Sequence, residues 1–410
     1  MRLRVNVRRA PRGRQRSLMR TTAIVAGLVL AVTAVSDAGA TGKPNRPTPK
    51  PKPEKVTVVA EGLSSPRGLD SYWGVPIVSQ GAFGPPAGPV LAVWEQPKRP
   101  ATLRPLSDPA MLVDIAVAPD GSVWGLSDGK VVRKAAHSKQ FQPVADLVAY
   151  QASDPDPYNT EGDPGESNPF SIAALPNGDA LVADAAGNDV LRVTRKGKVS
   201  TVARFTTELI PTDHLAGAPL PPELEAELPD PLPPFIPAEA VPTSIAVTKD
   251  AIYVGELKGF PFRPGSSHVW KINPWAEGAV CDPAPAAPAV ASTNGDKQGK
   301  PGKPGKPGKP TSDCTVAQAG FTGIQDITFD TSGRLYVLEI AKDGVLAFEA
   351  GIPAGPFPPA VLLRVDRNGA RTELAPGQIS QGGNVEVVHH GAVYVTDGMF
   401  TGGRLLRIGR

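Results

Sequence analysis

SIAALPNGDALVADAAGNDVLRV, running from Ser171 to Val193, reads as strand, glycine turn, strand, Asp-ended loop and strand. It decides the fold because the chain repeats it. Variants are DIAVAPDGSVWGLSDGKVVRK from Asp114, SIAVTKDAIYVGEL with HVWKI from Ser244, DITFDTSGRLYVLEI with LLRVD from Asp326, and VEVVHHGAVYVTDG with RLLRI from Val385. Short aliphatic and β-branched runs alternate with period two, and Pro176-Asn177-Gly178 supplies a turn because Asn and Gly tolerate positive φ. Self-similarity on this scale is the mark of a β-propeller, built from four-stranded antiparallel blades around a channel.

A weaker copy begins at PRGLDSYWGVPIV from Pro66, with its third strand near Pro89 to Trp94, and brings the count to six blades. Seven is the alternative. The anchors Ile115, Ile172, Ile245, Ile327 and Val387 are unevenly spaced, so long loops sit on a regular frame. Val56 to Ala60 (VTVVA) looks like an outer strand with nothing before it, while the last copy stops after three strands. The expected fold is therefore an all-β, six-bladed propeller over residues 56–410 whose N-terminal strand completes the final blade and removes an exposed edge.

The first forty residues read as a secretory signal: eight arginines up to Arg20, an apolar stretch from Thr21 to Val35 and small residues at Ala38 and Ala40. That stretch is too short to anchor in a bilayer. A secreted protein starting near Thr41, with no membrane span in its mature form, is expected. Residues 41–55 (TGKPNRPTPKPKPEK) form a Pro/Lys-rich linker, and Gly299 to Pro310 is four Gly-Lys-Pro triplets inside an insertion at about 282–313, too few for a triple helix. The formal charge is +3, yet signal, linker and insertion carry the excess of basic residues and the propeller body is acidic. A nucleic-acid partner is excluded on that ground.

The two cysteines, Cys281 and Cys314, bracket the insertion. In an exported chain they are expected to pair, across the neck of a hairpin within blade four.

Residues before a blade's first strand and after its second share one face. On it fall Arg67, Glu166, Ser167, Asn168, Thr243 and Asp326, and, after second strands, Asp184, Glu256, Glu339 and Asp397. GFPFRPG from Gly259 adds Phe260 and Phe262 as a lip. The recurring carboxylates Glu166, Asp184, Glu256, Glu339 and Asp397 offer hard oxygens to a divalent cation such as Ca²⁺, or equally bind the amides of their own blade as framework. No other cofactor is indicated. The five histidines, singly placed or adjacent, form no catalytic set, and no triad, metal-ligand spacing or phosphate loop stands out.

The phrases LSSPRGL at Leu63, ESNPFSIAALPNGDALVADAAGNDVLRV at Glu166, AVPTSIAV at Ala240, YVGELKGFPFRPG at Tyr253 and LYVLEI at Leu335 together resemble the ScyD/ScyE family of secreted propellers, related in pattern to NHL-repeat and SMP-30-like propellers. The chain departs from it at GVPIVSQGAFGPPAG in blade one and at the Gly-Lys-Pro insertion. The resemblance implies fold and export but no established activity. The function expected is a monomeric binding or scaffold module, taking an unknown small molecule or cell-surface component on one channel face. The alternative is a metal-dependent hydrolase or lactonase of SMP-30-like type, with carboxylates around one cation and water as nucleophile.

Overall fold

The computed structural model describes residues 54–96, 98–160, 163–216, 228, 231–283, 313–351 and 355–409. The segment read as a secretory signal, nearly all of the Pro/Lys stretch and the Gly-Lys-Pro triplets lie outside them. Six blades stand in a ring. Blade I runs from Leu69 to Pro105, blade II from Ile115 to Asp146, blade III from Pro169 to Phe205, blade IV from Pro242 to Phe321, and blade V from Ile324 to Leu374. Blade VI takes its three inner strands from Val385 to Ile408 and its outer strand from Val56–Leu63, in the order that closes the ring. Val56 lies opposite Ile408 and Leu63 opposite Gly403, with two register shifts that bend the strand along the rim.

The core is divided. Each blade buries both faces, so six apolar clusters form, one between each pair of neighbouring blades, and a seventh gathers under the loops. Leu181, Phe205, Val254 and Trp270 fill the III–IV interface, and Tyr336, Leu362, Val395 and Leu406 fill the V–VI interface. Ala60 and Leu63 of the closing strand belong to the cluster between blades VI and I. The centre of the ring is left to a channel lined by the six inner strands.

Cross-blade register corrects two expectations. Ile115, Ile172, Ile245 and Ile327 pair with Gly125, Val182, Val254 and Val337, and the residue in that place in blade VI is Val385, opposite Val395, not Val387. Cys281 and Cys314 are disulfide-bonded, as expected, with Cα atoms 5.1 Å apart. The bond does not close a hairpin within blade IV, however. The short strand Ala279–Cys281 lies parallel to the outer strand Val199–Phe205 of blade III as a fifth strand, while Cys314 opens the outer strand Cys314–Phe321 of blade IV. The disulfide therefore ties two blades together. No helix among the described residues is long and apolar enough to cross a membrane.

Candidate functional site

Inner strands all run from one face to the other, and in blades I to V their exposure is graded in that direction. Ser171, Ser244 and Asp326, near the start, are buried; Ala173, Ala174, Ala246, Val247, Thr328 and Phe329, further along, are partly exposed. The channel is thus reached from the end where the inner strands finish, and closes where they begin.

Arg67 helps to close it. The side chain is 0 % exposed, donates from Nη1 to the carbonyls of Val113 (3.1 Å) and Phe170 (2.7 Å), and stacks 3.8 Å from the centroid of the Phe170 ring. It links blade I to the entries of blades II and III. On the same face the loops of blades I, IV, V and VI bring Phe83, Phe262, Phe348, Phe357 and Phe400 into one aromatic cluster with Met399 and Val345.

The rim residues expected at that face are built into their own blades. Asp184, 0 % exposed, accepts from Ser167 Oγ (2.6 Å), Asn168 N (2.6 Å) and Gly187 N (3.1 Å), and from Gln151 Nε2 at 3.4 Å. Gln151 reaches it from a short helix, Leu147–Ser153, capped by Asp146. Asp397 accepts from the amides of Ser380 and Gln381 and pairs with Arg404. Glu339 accepts from Thr322 N, and burial lifts its pKa to about 7. In each case a carboxylate at the end of the second strand holds amides of the loop that enters the same blade, which orders that loop. Glu166 stands near Asp163, Asp184 and Glu239, and burial raises its pKa. Thr243 Oγ1 donates to Ile324 O of the next blade at 2.5 Å. Phe260 and Phe262 meet edge to face at 5.9 Å, and Phe262 joins the aromatic cluster.

Glu256 differs from its counterparts. It accepts from His268 N and Trp270 Nε1, and Lys258 Nζ lies 2.9 Å from it and 3.0 Å from Glu208. Burial alone would raise the Glu256 pKa; Lys258 and His268 hold it below its ordinary value. Glu208, Glu256 and His268 are the one group among the described residues that brings three ligand atoms within 4.8 Å, and the Lys258 ammonium sits among them. The five rim carboxylates do not converge in that way.

A second acidic set lies in the channel. Aligning the blades by register places Gly68, Asp114, Ser171, Ser244, Asp326 and Asn384 in a closed tier, and Asp70, Ala116, Ala173, Ala246, Thr328 and Glu386 two residues further along in an open tier. The channel holds about 280 Å³. Asp114 accepts from Ile172 N (3.0 Å) and Asn384 Nδ2 (2.9 Å), Asp326 from Val385 N (2.8 Å), and Asp70 from Val117 N (2.6 Å), so each acid rivets its blade to the next. Glu386 accepts from Ser71 Oγ at 2.7 Å and Thr328 Oγ1 at 3.3 Å.

Burial dominates the titration of all four. It raises Asp114 despite the compensating charge of Arg67, and raises Asp326 well above its ordinary value, with the charge of Asp114 adding to it. Burial lifts Asp70 to about 6 and Glu386 to about 8, the latter helped by the neighbouring Asp70. At neutral pH the open tier thus holds a protonated and an ionised carboxyl side by side, an acid and a base in one cavity.

Of these residues the sequence singled out Asp326 and Arg67; Asp70, Asp114, Asn384 and Glu386 were missed. The signal that could have found them is positional, an acid or amide where the equivalent residue of another blade is Ser or Ala.

No family model and no curated protein matches the chain. Several solved propellers are similar in fold. A catalytically inactive virginiamycin B lyase from Staphylococcus aureus with quinupristin is 14 % identical, covering 87 % of this chain and 99 % of that one, with a TM-score of 0.44. A gluconolactonase from Xanthomonas campestris is 12 % identical over 87 % and 90 %, with a TM-score of 0.48. The PQQ-bound aldose sugar dehydrogenase of Streptomyces coelicolor is 15 % identical over 87 % and 99 %, with a TM-score of 0.45. The likeness is one of fold.

Proposed function

We propose that this protein is an exported binding propeller, of the kind the ScyD/ScyE resemblance implies, that takes a small ligand into its central channel from the end where the inner strands finish. One observation carries the reading: exposure rises along the inner strands of blades I to V toward a cavity walled by Asp70, Thr328 and Glu386 and floored by Asp114, Asp326 and Asn384. Polar groups converging in a concave site with strongly shifted carboxyls are the usual signature of a ligand site. The disulfide supports an extracytoplasmic location.

A fragment library screened by ligand-observed NMR tests the reading. It is run against the wild-type protein, against Ala246→Leu, which fills the channel wall, and against Phe262→Ala in the aromatic cluster of the opposite face. Hits lost in Ala246→Leu and kept in Phe262→Ala are expected. Hits indifferent to Ala246→Leu, or lost in Phe262→Ala, would overturn the channel as the site.

A hydrolytic reading draws on the Asp70–Glu386 pair, poised as base and acid at neutral pH. It expects lactone or ester turnover that falls at least a hundredfold in both Asp70→Asn and Glu386→Gln, the scale of general acid–base catalysis. Turnover surviving both substitutions would sink it.

A further inference from the structure

We propose that the channel is a receptor for a small primary ammonium ion carrying a short apolar tail. The inference rests on the channel reading above and names its ligand class. It starts from the open tier, where chemistry divides by blade: Thr328, Glu386 and Asp70 occupy the contiguous blades V, VI and I, while Ala116, Ala173 and Ala246 occupy II, III and IV. One wall is polar and acidic. The other is made of Ala173 and Ala246, extended by Val117, Val247 and Ala174, with Ala116 buried behind it, and leaves the cavity its width.

Hydrogen-bond accounting points the same way. Asn384, 3 % exposed, spends its Nδ2 on Asp114, and its Oδ1 lines the cavity with no donor from the protein. Ser71 and Thr328 already turn their hydroxyls to Glu386. With Glu386 ionised the open tier therefore offers acceptors and no free hydroxyl donor, while the unpaired Nε and Nη2 of Arg67 lie at the closed end. A fitting ligand brings several N–H donors and no acceptor, and an alkylammonium head, with three donors and one charge, does so.

A divalent metal fits less well. Ca²⁺ needs six or more oxygens at about 2.3–2.6 Å, and the channel carboxylates of Asp70, Asp114, Asp326 and Glu386 do not bring three ligand atoms within 4.8 Å of one another. The cavity of about 280 Å³ equals about nine waters, room for an amine of roughly five to nine non-hydrogen atoms. Binding leaves the ammonium charged and passes the proton of Glu386 to the buffer, so the carboxyl meets the cation ionised.

Calorimetry on the full mature protein tests this, with n-butylammonium, butan-1-ol and Ca²⁺ titrated separately at pH 7 in two buffers of different ionisation heat. Butylammonium is expected to bind with release of up to one proton. Glu386→Gln and Asp70→Asn should each weaken it at least tenfold and Glu386→Gln should abolish the proton release. Ala246→Leu, checked for an intact melt, should weaken butylammonium more than methylammonium. Butan-1-ol binding as tightly as the amine, or Ca²⁺ binding while the amine does not, overturns the ammonium assignment and leaves the channel reading standing if Ala246→Leu abolishes that binding. No binding by any of the three, or binding indifferent to Ala246→Leu, refutes both.

Discussion

Replacing Glu386 with Gln should make the protein more stable in mild alkali. Burial and the charge of Asp70 move the Glu386 pKa from an ordinary 4.5 to about 8. Between those values the native state holds a proton that the unfolded chain has released, so stability is fully present below about pH 4.5 and is lost as pH rises through about 8. At about 1.4 kcal/mol per pH unit the span corresponds to about 5 kcal/mol, an upper bound. Glu386 lies in the partly exposed tier, where channel water screens the ionised form, so about 2–3 kcal/mol is the expected loss. Gln keeps the shape and can still accept from Ser71 Oγ, while Thr328 can turn its hydroxyl to accept from the amide. The two proteins should therefore be nearly equal at pH 5, with the variant gaining steadily until about pH 8. Glu339 and Glu349, each lifted to about 7 by burial, titrate alike in both and cancel in the difference. Urea unfolding at pH 5, 6, 7 and 8 measures it, and parallel stability profiles for the two proteins would refute the placement of Glu386 beside Asp70 in an acidic tier.

Three other outcomes are expected. Deleting residues 41–63 should lower the melting temperature, since Leu63 and Ala60 alone contribute about 3 kcal/mol of burial, whereas deleting 41–53 should leave it unchanged; equal melts for the two truncations would contradict closure of blade VI by Val56–Leu63. The protein should show no free thiol, and Cys281→Ser with Cys314→Ser should cost about 4 kcal/mol for a loop of this span, read as a drop in urea midpoint; an unchanged midpoint would mean that the bond between blades III and IV restrains nothing. Lys258→Met should cost about 3–5 kcal/mol by leaving Glu256 charged and buried, and adding Glu256→Gln should restore much of it; a double variant as unstable as the sum of the singles would show that the pair is not coupled.

The fold was legible because period two recurs in every well-formed copy and a glycine turn in four of those five, and because an unpartnered first strand matched a last blade that lacked one. Blade I was faint: the chain between its second and third strands wanders through Ser79 to Val90, and Asp70 opens no recognisable phrase. The disulfide pairing was legible from two lone cysteines, but its neighbours were not, since nothing in Ala279-Val280-Cys281 says that it will lie parallel to blade III. The rim carboxylates were visible by repetition, and what they touch was not: Asp184, Glu339 and Asp397 fold back on amides a few residues before their own first strand. Asp70 and Glu386 hid for the opposite reason, being single departures at a position that reads Ala in three other blades. Repetition marks what a blade needs, and departure from it marks what one wall of the channel has acquired.

Pairing Val56–Leu63 with Gly403–Ile408 also sets the order in which the molecule can be made. A chain delivered N-terminus first presents the closing strand before any blade exists and its partner only at the end. Joining segments so distant costs roughly 5 kcal/mol of chain entropy, so five blades can gather their local hairpins early while the seam forms last, as contact order predicts for pairing of this span. Until then the Gly403–Ile408 edge is unpaired and able to accept a strand from another chain. Yield on refolding should therefore depend on protein concentration, with the exchanged species being dimers that share first strands.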